Sequence, residues 1–162
     1  MSTENPLSGS APPGAPADET SPQLALQAVY LKDCSYEAPN GPRVEGNWNP
    51  QVNLDLHTGV TQLNPDVREI LLTVTVSAKQ NGATAFLVEV KQAGVFLMRN
   101  LGEEDAKRAV ASICPTVLFP YARAAVSQLV SQGGFPQFLL PPVNFDALYA
   151  SADAQQQPSK VN

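Results

Sequence analysis

Residues 67–92, VREILLTVTVSAKQNGATAFLVEVKQ, alternate apolar and polar side chains on both sides of Asn81-Gly82. Alternation with a period of two is typical of a β-strand that buries one face. Asn and Gly accept the positive φ angles of a tight hairpin, so the pattern predicts antiparallel strands at 67–78 and 84–92. The side chains expected to face inward are Ile70, Leu72, Val74, Val76, Phe86, Val88 and Val90.

Two segments before this hairpin continue the alternation. Residues 52–57 turn Asn53, Asp55 and His57 toward water, and residues 24–37 alternate over a longer stretch. On that longer strand the predicted inward set is Leu24, Leu26, Ala28, Tyr30, Cys34 and Tyr36, and the outward set is Gln27, Val29, Leu31, Asp33, Ser35 and Glu37. Four strands with hairpin-like links predict an antiparallel meander with one face that must be covered.

The second half of the chain changes to a helical period. Apolar residues from Ala106 to Ile113 recur at helical spacing, and Pro115 and Pro120 predict a break or a kink between the two prolines. A long helix is expected at 116–132, and Asn144 is expected to cap a final helix. Strands followed by helices indicate an α+β domain whose helices pack on one sheet face.

Composition limits the domain organisation and the choice of partners. Residues 1–22 and 154–162 have no apolar period, so they are predicted to be a disordered N-terminal tail and a flexible C-terminal tail around one domain at 23–153. The net charge of −5 and the absence of a basic run argue against nucleic acid. No stretch approaches the roughly 20 apolar residues that a membrane-spanning helix needs, so we expect no membrane insertion. We also expect no signal peptide and a cytoplasmic location with reduced Cys34 and Cys114.

The sequence contains few residues suited to catalysis. His57 is the only histidine and shares a solvated strand face with Asp55, while the two cysteines fall on apolar faces. No CxxC pair, HxH pair or phosphate-binding glycine loop is present. We therefore expect no enzyme, no cofactor and no metal site.

The most distinctive feature of the sequence is a set of aromatic residues beside proline-rich loops. Trp48, Phe135, Phe138 and Phe145 lie near Pro50, Pro136 and Pro141-Pro142. Each ring alone could be ordinary core. Together, in loops stiffened by proline, they predict an apolar groove that binds extended, unfolded chain at a low ordering cost.

Four motifs resemble the SecB family of bacterial export chaperones over residues 24 to about 150. They are D-x-SYEAPN at 33–40, LFPYAR at 118–123, GFPQ at 134–137 and PVNFDAL at 142–148. The resemblance implies a SecB-like four-stranded antiparallel sheet with helices on one face, assembled as a homotetramer that is a dimer of dimers. It also implies binding of unfolded secretory precursors and their delivery to SecA, the translocation ATPase.

The resemblance also implies roles for particular residues. Asp33, Glu37, Leu87 and Glu89 match positions that receive the SecA C-terminal tail, and all four are on the face predicted to be outward. Trp48, Phe135, Phe138 and Phe145 match groove or loop positions. The polar segment 43–47 lacks an aromatic residue expected there, which predicts a narrower groove.

Two other functions remain open from the sequence. A SecB-like chaperone dedicated to one client, such as an antitoxin, would keep the groove without needing Asp33, Glu37 and Glu89. A small enzyme would depend on Asp55 and His57 alone. The presence of the three acidic residues favours the export role.

Overall fold

A computed structural model describes residues 18–156 of the protein. Four strands precede three α-helices, and a π-helical turn joins the first two helices. The elements are β1 (Gln23–Glu37), β2 (Gln51–Asn64), β3 (Val67–Gln80), β4 (Ala83–Arg99), α1 (Glu103–Arg108), the π turn (Ala109–Ile113), α2 (Cys114–Gln132) and α3 (Phe145–Gln156).

The strands form one antiparallel sheet in the order β1-β4-β3-β2, which confirms the predicted α+β class. In a simple meander β1 would lie beside β2, whereas here it lies beside β4. Only β2, β3 and β4 are successive neighbours, while the chain crosses over through residues 38–50 and places β1 beside β4. This segment is too long and too rich in proline for a tight hairpin, so β1 pairs at the opposite edge in a Greek-key arrangement.

The hairpin between β3 and β4 forms as predicted. Asn81 and Gly82 have φ angles of 53° and 78°, the left-handed values that a two-residue turn requires. The inward residues of both strands are fully buried beneath the helices. They are Ile70, Leu72, Val74, Val76, Ala78, Phe86, Val88 and Val90.

Two β-bulges correct the predicted faces of β1. Its register with β4 shifts between Leu26 and Ala28 and again between Leu31 and Asp33. Each extra residue reverses the alternation, so Val29 and Leu31 face the helices between the bulges, and Ala28 and Tyr30 face outward. The second shift restores the original parity, which leaves Cys34 and Tyr36 inward and Asp33 and Glu37 outward as predicted.

Helix α2 covers the sheet by packing on β4 and β3. Leu118 of α2 packs close over Gly94 of β4, where an added Cβ would lie 2.7 Å from Phe96 Cε2 and 2.8 Å from Leu118 Cδ2. A side chain at this position would therefore push α2 away from the sheet.

The predicted break near the prolines takes another form. The chain makes a π turn immediately before α2, and Pro115 is the second residue of α2. Helix α2 then continues through Pro120 to Gln132, so the helix is not broken between Pro115 and Pro120.

Side-chain contacts attach α3 to the π turn. Asn144 caps the helix as predicted, since its Oδ1 accepts a hydrogen bond from the Ala147 N–H at 3.0 Å. Asp146 accepts hydrogen bonds from Ser112 Oγ at 2.7 Å and from Arg108. The hydrogen bonds from Ser112 and then from Arg108 hold the pKa of Asp146 below its usual value.

The described structure extends past the predicted domain limits at both ends. Asn100 Nδ2 donates hydrogen bonds to the carbonyl oxygens of Glu19 and Ser21, which holds residues 18–22 beside the end of β4. At the other end α3 runs to Gln156, past the expected boundary at 153. The remaining parts of both predicted tails, 1–17 and 157–162, lie outside the described residues.

The helical stretch Glu103–Gln132 is long and apolar enough to span a membrane by length and composition. The expectation that no segment reaches this threshold is therefore wrong. The core helix of a globular domain meets the same criterion, and 44% of the most apolar window is buried within the described chain. Its packing on the sheet explains its apolar character.

Gly94→Ala should destabilise the protein by about 1–3 kcal/mol, because the new methyl group meets Phe96 and Leu118 at less than van der Waals distance. Gly59→Ala is the matched control, since the nearest side-chain atom to its added Cβ is 3.9 Å away. Urea unfolding followed by circular dichroism measures both variants. Equal midpoints for the two variants would show that α2 does not depend on the close approach at Gly94.

Candidate functional site

Three of the four predicted groove aromatics meet at one end of the helix-covered sheet face. Trp48 comes from the crossover segment 38–50, and Phe135 and Phe138 come from the loop after α2. Their ring centroids surround Phe86 of β4 at distances of 6.5, 5.2 and 5.6 Å, respectively, and Trp48 lies 5.4 Å from Phe135. We call Trp48, Phe86, Phe135 and Phe138 the aromatic cluster.

The cluster has a buried base and a partly open rim. Phe86 is fully buried and Phe135 is 6% exposed, whereas Trp48 and Phe138 are only partly buried. The two rim rings therefore keep apolar surface available beside polar loops. Phe86 was assigned only to the core from sequence, and its position five residues after Asn81 was the available signal that it lies at this end of the sheet.

Phe145 lies outside the aromatic cluster. It is 4% exposed, and its ring packs on Phe119 of α2 at 5.8 Å. The motif that contains Phe145 places it at the first turn of α3 rather than in the loop that carries Phe138. The structure therefore brings together Trp48, Phe135 and Phe138 but not Phe145.

Two glycines let the chain after α2 lie against the end of β1 and the crossover segment. An added Cβ at Gly133 would overlap the Tyr36 hydroxyl at 1.8 Å, and one at Gly134 would lie 3.2 Å from Pro42. Gly134 also has a φ of +81°, which an L side chain rarely adopts. The Tyr36 hydroxyl is buried there and has no hydrogen-bond partner among residues 18–156, and burial raises the pKa of this phenol.

The polar segment 43–47 lies against the β3–β4 hairpin. Gln80 Nε2 donates to the Asn47 carbonyl at 2.9 Å, and Asn81 Nδ2 donates to the Glu45 carbonyl at 3.3 Å. Between the segment and the hairpin is a cavity of about 680 Å³. Its lining includes both polar and apolar residues, among them Arg43, Val44 and Glu45, and segment 43–47 contains no aromatic residue.

The four residues matched to SecA binding lie together on the opposite, uncovered sheet face. Because β1 pairs with β4, Glu37 is directly opposite Leu87, Ser35 is opposite Glu89 and Asp33 is opposite Lys91. Sequence alone could not establish this pairing of strands. We call Asp33, Glu37, Leu87 and Glu89 the outer acidic patch.

The outer acidic patch is exposed and carries a net negative charge. Leu87 is 38% exposed and offers apolar surface among the carboxylates. Glu89 accepts a hydrogen bond from Thr75 Oγ1 at 3.4 Å, and its other oxygen lies 3.7 Å from Lys91 Nζ. Both contacts leave most of the patch charge uncompensated, which suits a basic partner.

The residues considered for catalysis do not converge. Cys114 is buried, and its burial raises the pKa of the thiol to about 12. His57 and Asp55 are exposed on the uncovered face of β2, opposite Thr73 and Thr75 of β3. Within residues 18–156 no cluster of three or more His, Cys, Asp or Glu side chains could hold a metal ion.

The architecture is that of SecB-like chaperones. A SecB-like chaperone of Mycobacterium tuberculosis, solved with a peptide from an antitoxin, has a similar fold with a TM-score of 0.64. The similarity covers 74% of this chain and 90% of that chain at 16% sequence identity, so it concerns the fold alone.

The family model for preprotein translocase subunit SecB matches residues 17–156, and the chain belongs to the SecB family. It is 49% identical over 146 residues to protein-export protein SecB of Pseudomonas paraeruginosa, covering 88% of this chain and 89% of the relative. It is 48% identical over 157 residues to that of Thioalkalivibrio sulfidiphilus, covering 96% and 94%. The protein is therefore a member of a family of protein-export chaperones, as the motifs predicted.

Cys114 should resist thiol labelling in the folded protein, because the thiolate is the reactive form and is about one part in 10,000 at pH 8 for a pKa near 12. The test uses Cys34→Ser, which leaves Cys114 as the single thiol. DTNB should label this variant only after unfolding in urea. Rapid labelling of the folded variant would reopen a nucleophilic role for Cys114.

Proposed function

We propose that this protein holds unfolded secretory precursors at the aromatic cluster and delivers them to SecA through the outer acidic patch. It does so in the cytoplasm, as a homotetramer, without catalysis, cofactor or insertion into the membrane. The observation that carries the proposal is the separation of the two surfaces. Half-open aromatic rings lie on the helix-covered side of the sheet, and exposed carboxylates lie on the other side.

The aromatic cluster has the properties needed to hold extended chain. Trp48 and Phe138 present flat apolar surface at little entropic cost, because Phe86 and Phe135 already support them from below. The neighbouring loops are stiffened by prolines and held together at Gly133 and Gly134. With a net charge of −5 around an apolar groove, clients rich in aromatic and basic residues should bind best.

Delivery to SecA is supported by the arrangement of the outer acidic patch. Asp33, Glu37 and Glu89 form a negative surface around Leu87 on two adjacent strands. A basic segment of SecA could pair with the carboxylates while Leu87 supplies an apolar contact. Because the carboxylates are exposed, each pair should contribute modestly, and their sum should decrease with salt.

Assembly is supported by apolar surface that a single chain leaves uncovered. Leu26 and Leu31 lie on the helix-facing side of β1 yet are 41% and 48% exposed. Ile113 and Tyr121 are also exposed on the helical layer, at 39% and 50%. Copies of the same chain are the proposed cover for this surface, in a dimer of dimers.

A chaperone dedicated to a single client is the second candidate. The similarly folded Mycobacterium tuberculosis protein binds an antitoxin peptide, which makes this role compatible with the fold. The outer acidic patch favours the export role, since a dedicated chaperone needs no second docking surface. Clients recovered from cells distinguish the two, because export predicts many signal-bearing precursors and the alternative predicts one dominant partner.

Trp48→Ala and Phe138→Ala should each weaken client holding by about 1–3 kcal/mol, because each removes an aromatic ring at the rim of the groove. Affinity for an unfolded precursor is measured by fluorescence anisotropy of a labelled client. Leu148→Ala is the matched control, since it removes an exposed apolar side chain from α3 outside the cluster. Unchanged client affinity in the Trp48 and Phe138 variants, with the tetramer intact by light scattering, would place the groove elsewhere.

Asp33→Lys with Glu89→Lys should abolish most SecA binding, because the change adds repulsion to the loss of attraction. Calorimetry with purified SecA measures binding, and suppression of precursor aggregation measures client holding. Glu103→Lys with Glu104→Lys makes the same change in net charge at exposed sites on α1. Loss of both activities in the first variant, or loss of SecA binding in the second, would contradict the proposed division between the two sheet faces.

A further inference from the structure

A compact ion-pair cluster lies on the uncovered sheet face beside the outer acidic patch. Tyr30 and Lys32 belong to β1, Glu69 belongs to β3, and β4 lies between these two strands. The Tyr30 hydroxyl donates a hydrogen bond to Glu69 Oε2, and Lys32 Nζ lies 2.5 Å from Glu69 Oε1. We call Tyr30, Lys32 and Glu69 the Glu69 clasp.

A small residue of β4 lets the side chains of Tyr30 and Lys32 reach Glu69 across the sheet. Ala93 is opposite both Tyr30 of β1 and Leu71 of β3, and it is fully buried although it belongs to the uncovered face. Glu69 is also nearly buried, at 9% exposure. Its hydrogen bonds from Lys32 and then Tyr30 hold the pKa of the Glu69 carboxyl below its usual value, so the group stays ionised opposite the ammonium.

The second β-bulge determines where the Lys32 charge is held. Lys32 is the residue that the β1–β4 register skips, and it directly precedes Asp33 of the outer acidic patch. Glu69 is aligned with Val95 and Asp33 with Lys91, four residues apart along β4. At 3.3–3.4 Å per residue, the Glu69–Val95 pair lies about 13 Å along the strands from the Asp33–Lys91 pair. The bond to Glu69 therefore holds the Lys32 ammonium toward Glu69 and away from the outer acidic patch.

This placement affects the charge available to a partner. The outer acidic patch has three carboxylates, and the ammonium of Lys91 is the positive charge beside them, so two negative charges remain uncompensated. A Lys32 side chain that was free to turn toward Asp33 would cancel one of them. The bond to Glu69 removes this competition because both charges of the pair are already satisfied by each other.

We propose that the Glu69 clasp masks the positive charge of Lys32 and thereby keeps the outer acidic patch negative enough to dock a basic partner. Glu69 and Tyr30 are then positioning residues that touch no partner themselves. The inference rests on the proposed SecA docking for its biological meaning. Its physical content, the affinity of the uncovered face for a basic chain, is independent of SecA.

The test compares Glu69→Gln with the double variant Lys32→Met/Glu69→Gln. Glu69→Gln frees Lys32 and should weaken binding by about two- to fivefold at low salt, as expected for one exposed charge. Removing Lys32 in the same background should restore the wild-type affinity and its salt dependence. Calorimetry is performed with purified SecA and, separately, with a synthetic lysine-rich peptide, and Glu104→Gln controls for loss of one exposed carboxylate.

Two results would overturn the masking role. One is a Glu69→Gln variant, folded and tetrameric, that binds the lysine-rich peptide as tightly as wild type. The other is a weakened Glu69→Gln variant that Lys32→Met does not rescue, which would indicate a structural effect of Glu69 alone. If wild type binds the peptide but not SecA, the proposed delivery role fails, and the peptide series still decides the masking role.

A charge-exchanged pair covers the case in which Glu69→Gln does not fold. Lys32→Glu/Glu69→Lys keeps an ion pair at the clasp and reverses the charge beside Asp33. A masked charge predicts peptide affinity within about twofold of wild type. A clear gain in affinity beyond that would mean that the partner senses the charge at position 32, which would contradict masking.

Discussion

Burial of one face of the β3–β4 hairpin beneath α2 is the constraint on which the rest of the structure depends. The inward residues of both strands are fully buried, and Leu118 of α2 packs over Gly94, where a side chain would not fit. At about 25 cal/mol per Å², this continuous apolar contact is the main stabilising term available to a domain of this size. Because the helical layer covers only one face, the other face is left free for contact with partners.

The end of the helical layer determines where client binding is proposed. Helix α2 stops at Gln132, and the following glycines fit against Tyr36 and Pro42, which brings the post-α2 loop to the crossover segment. The aromatic cluster forms there, over Phe86 at the edge of the core. On the far side of the sheet, β1–β4 pairing gathers the carboxylates of the outer acidic patch. Holding and docking are thus assigned to opposite faces of one sheet.

Much of this architecture was predictable from local pattern. The alternation of β3 and β4, the Asn81-Gly82 turn and the Asn144 cap each depend on neighbouring residues, and all three formed as expected. The bulges of β1 and its position beside β4 depend on contacts between distant segments, which strict alternation does not encode. For the same reason the sequence indicated Trp48, Phe135 and Phe138 but neither the supporting Phe86 nor the separation of Phe145.

The separation of the two faces is tested most directly by site-specific photo-crosslinking in the intact protein. A photoreactive amino acid replaces Phe138 in one variant and Leu87 in another, and each is exposed to an unfolded precursor or to SecA. We expect the precursor to crosslink at position 138 and SecA to crosslink at position 87. Equal crosslinking of the precursor at both positions would contradict the assignment of holding and docking to opposite faces.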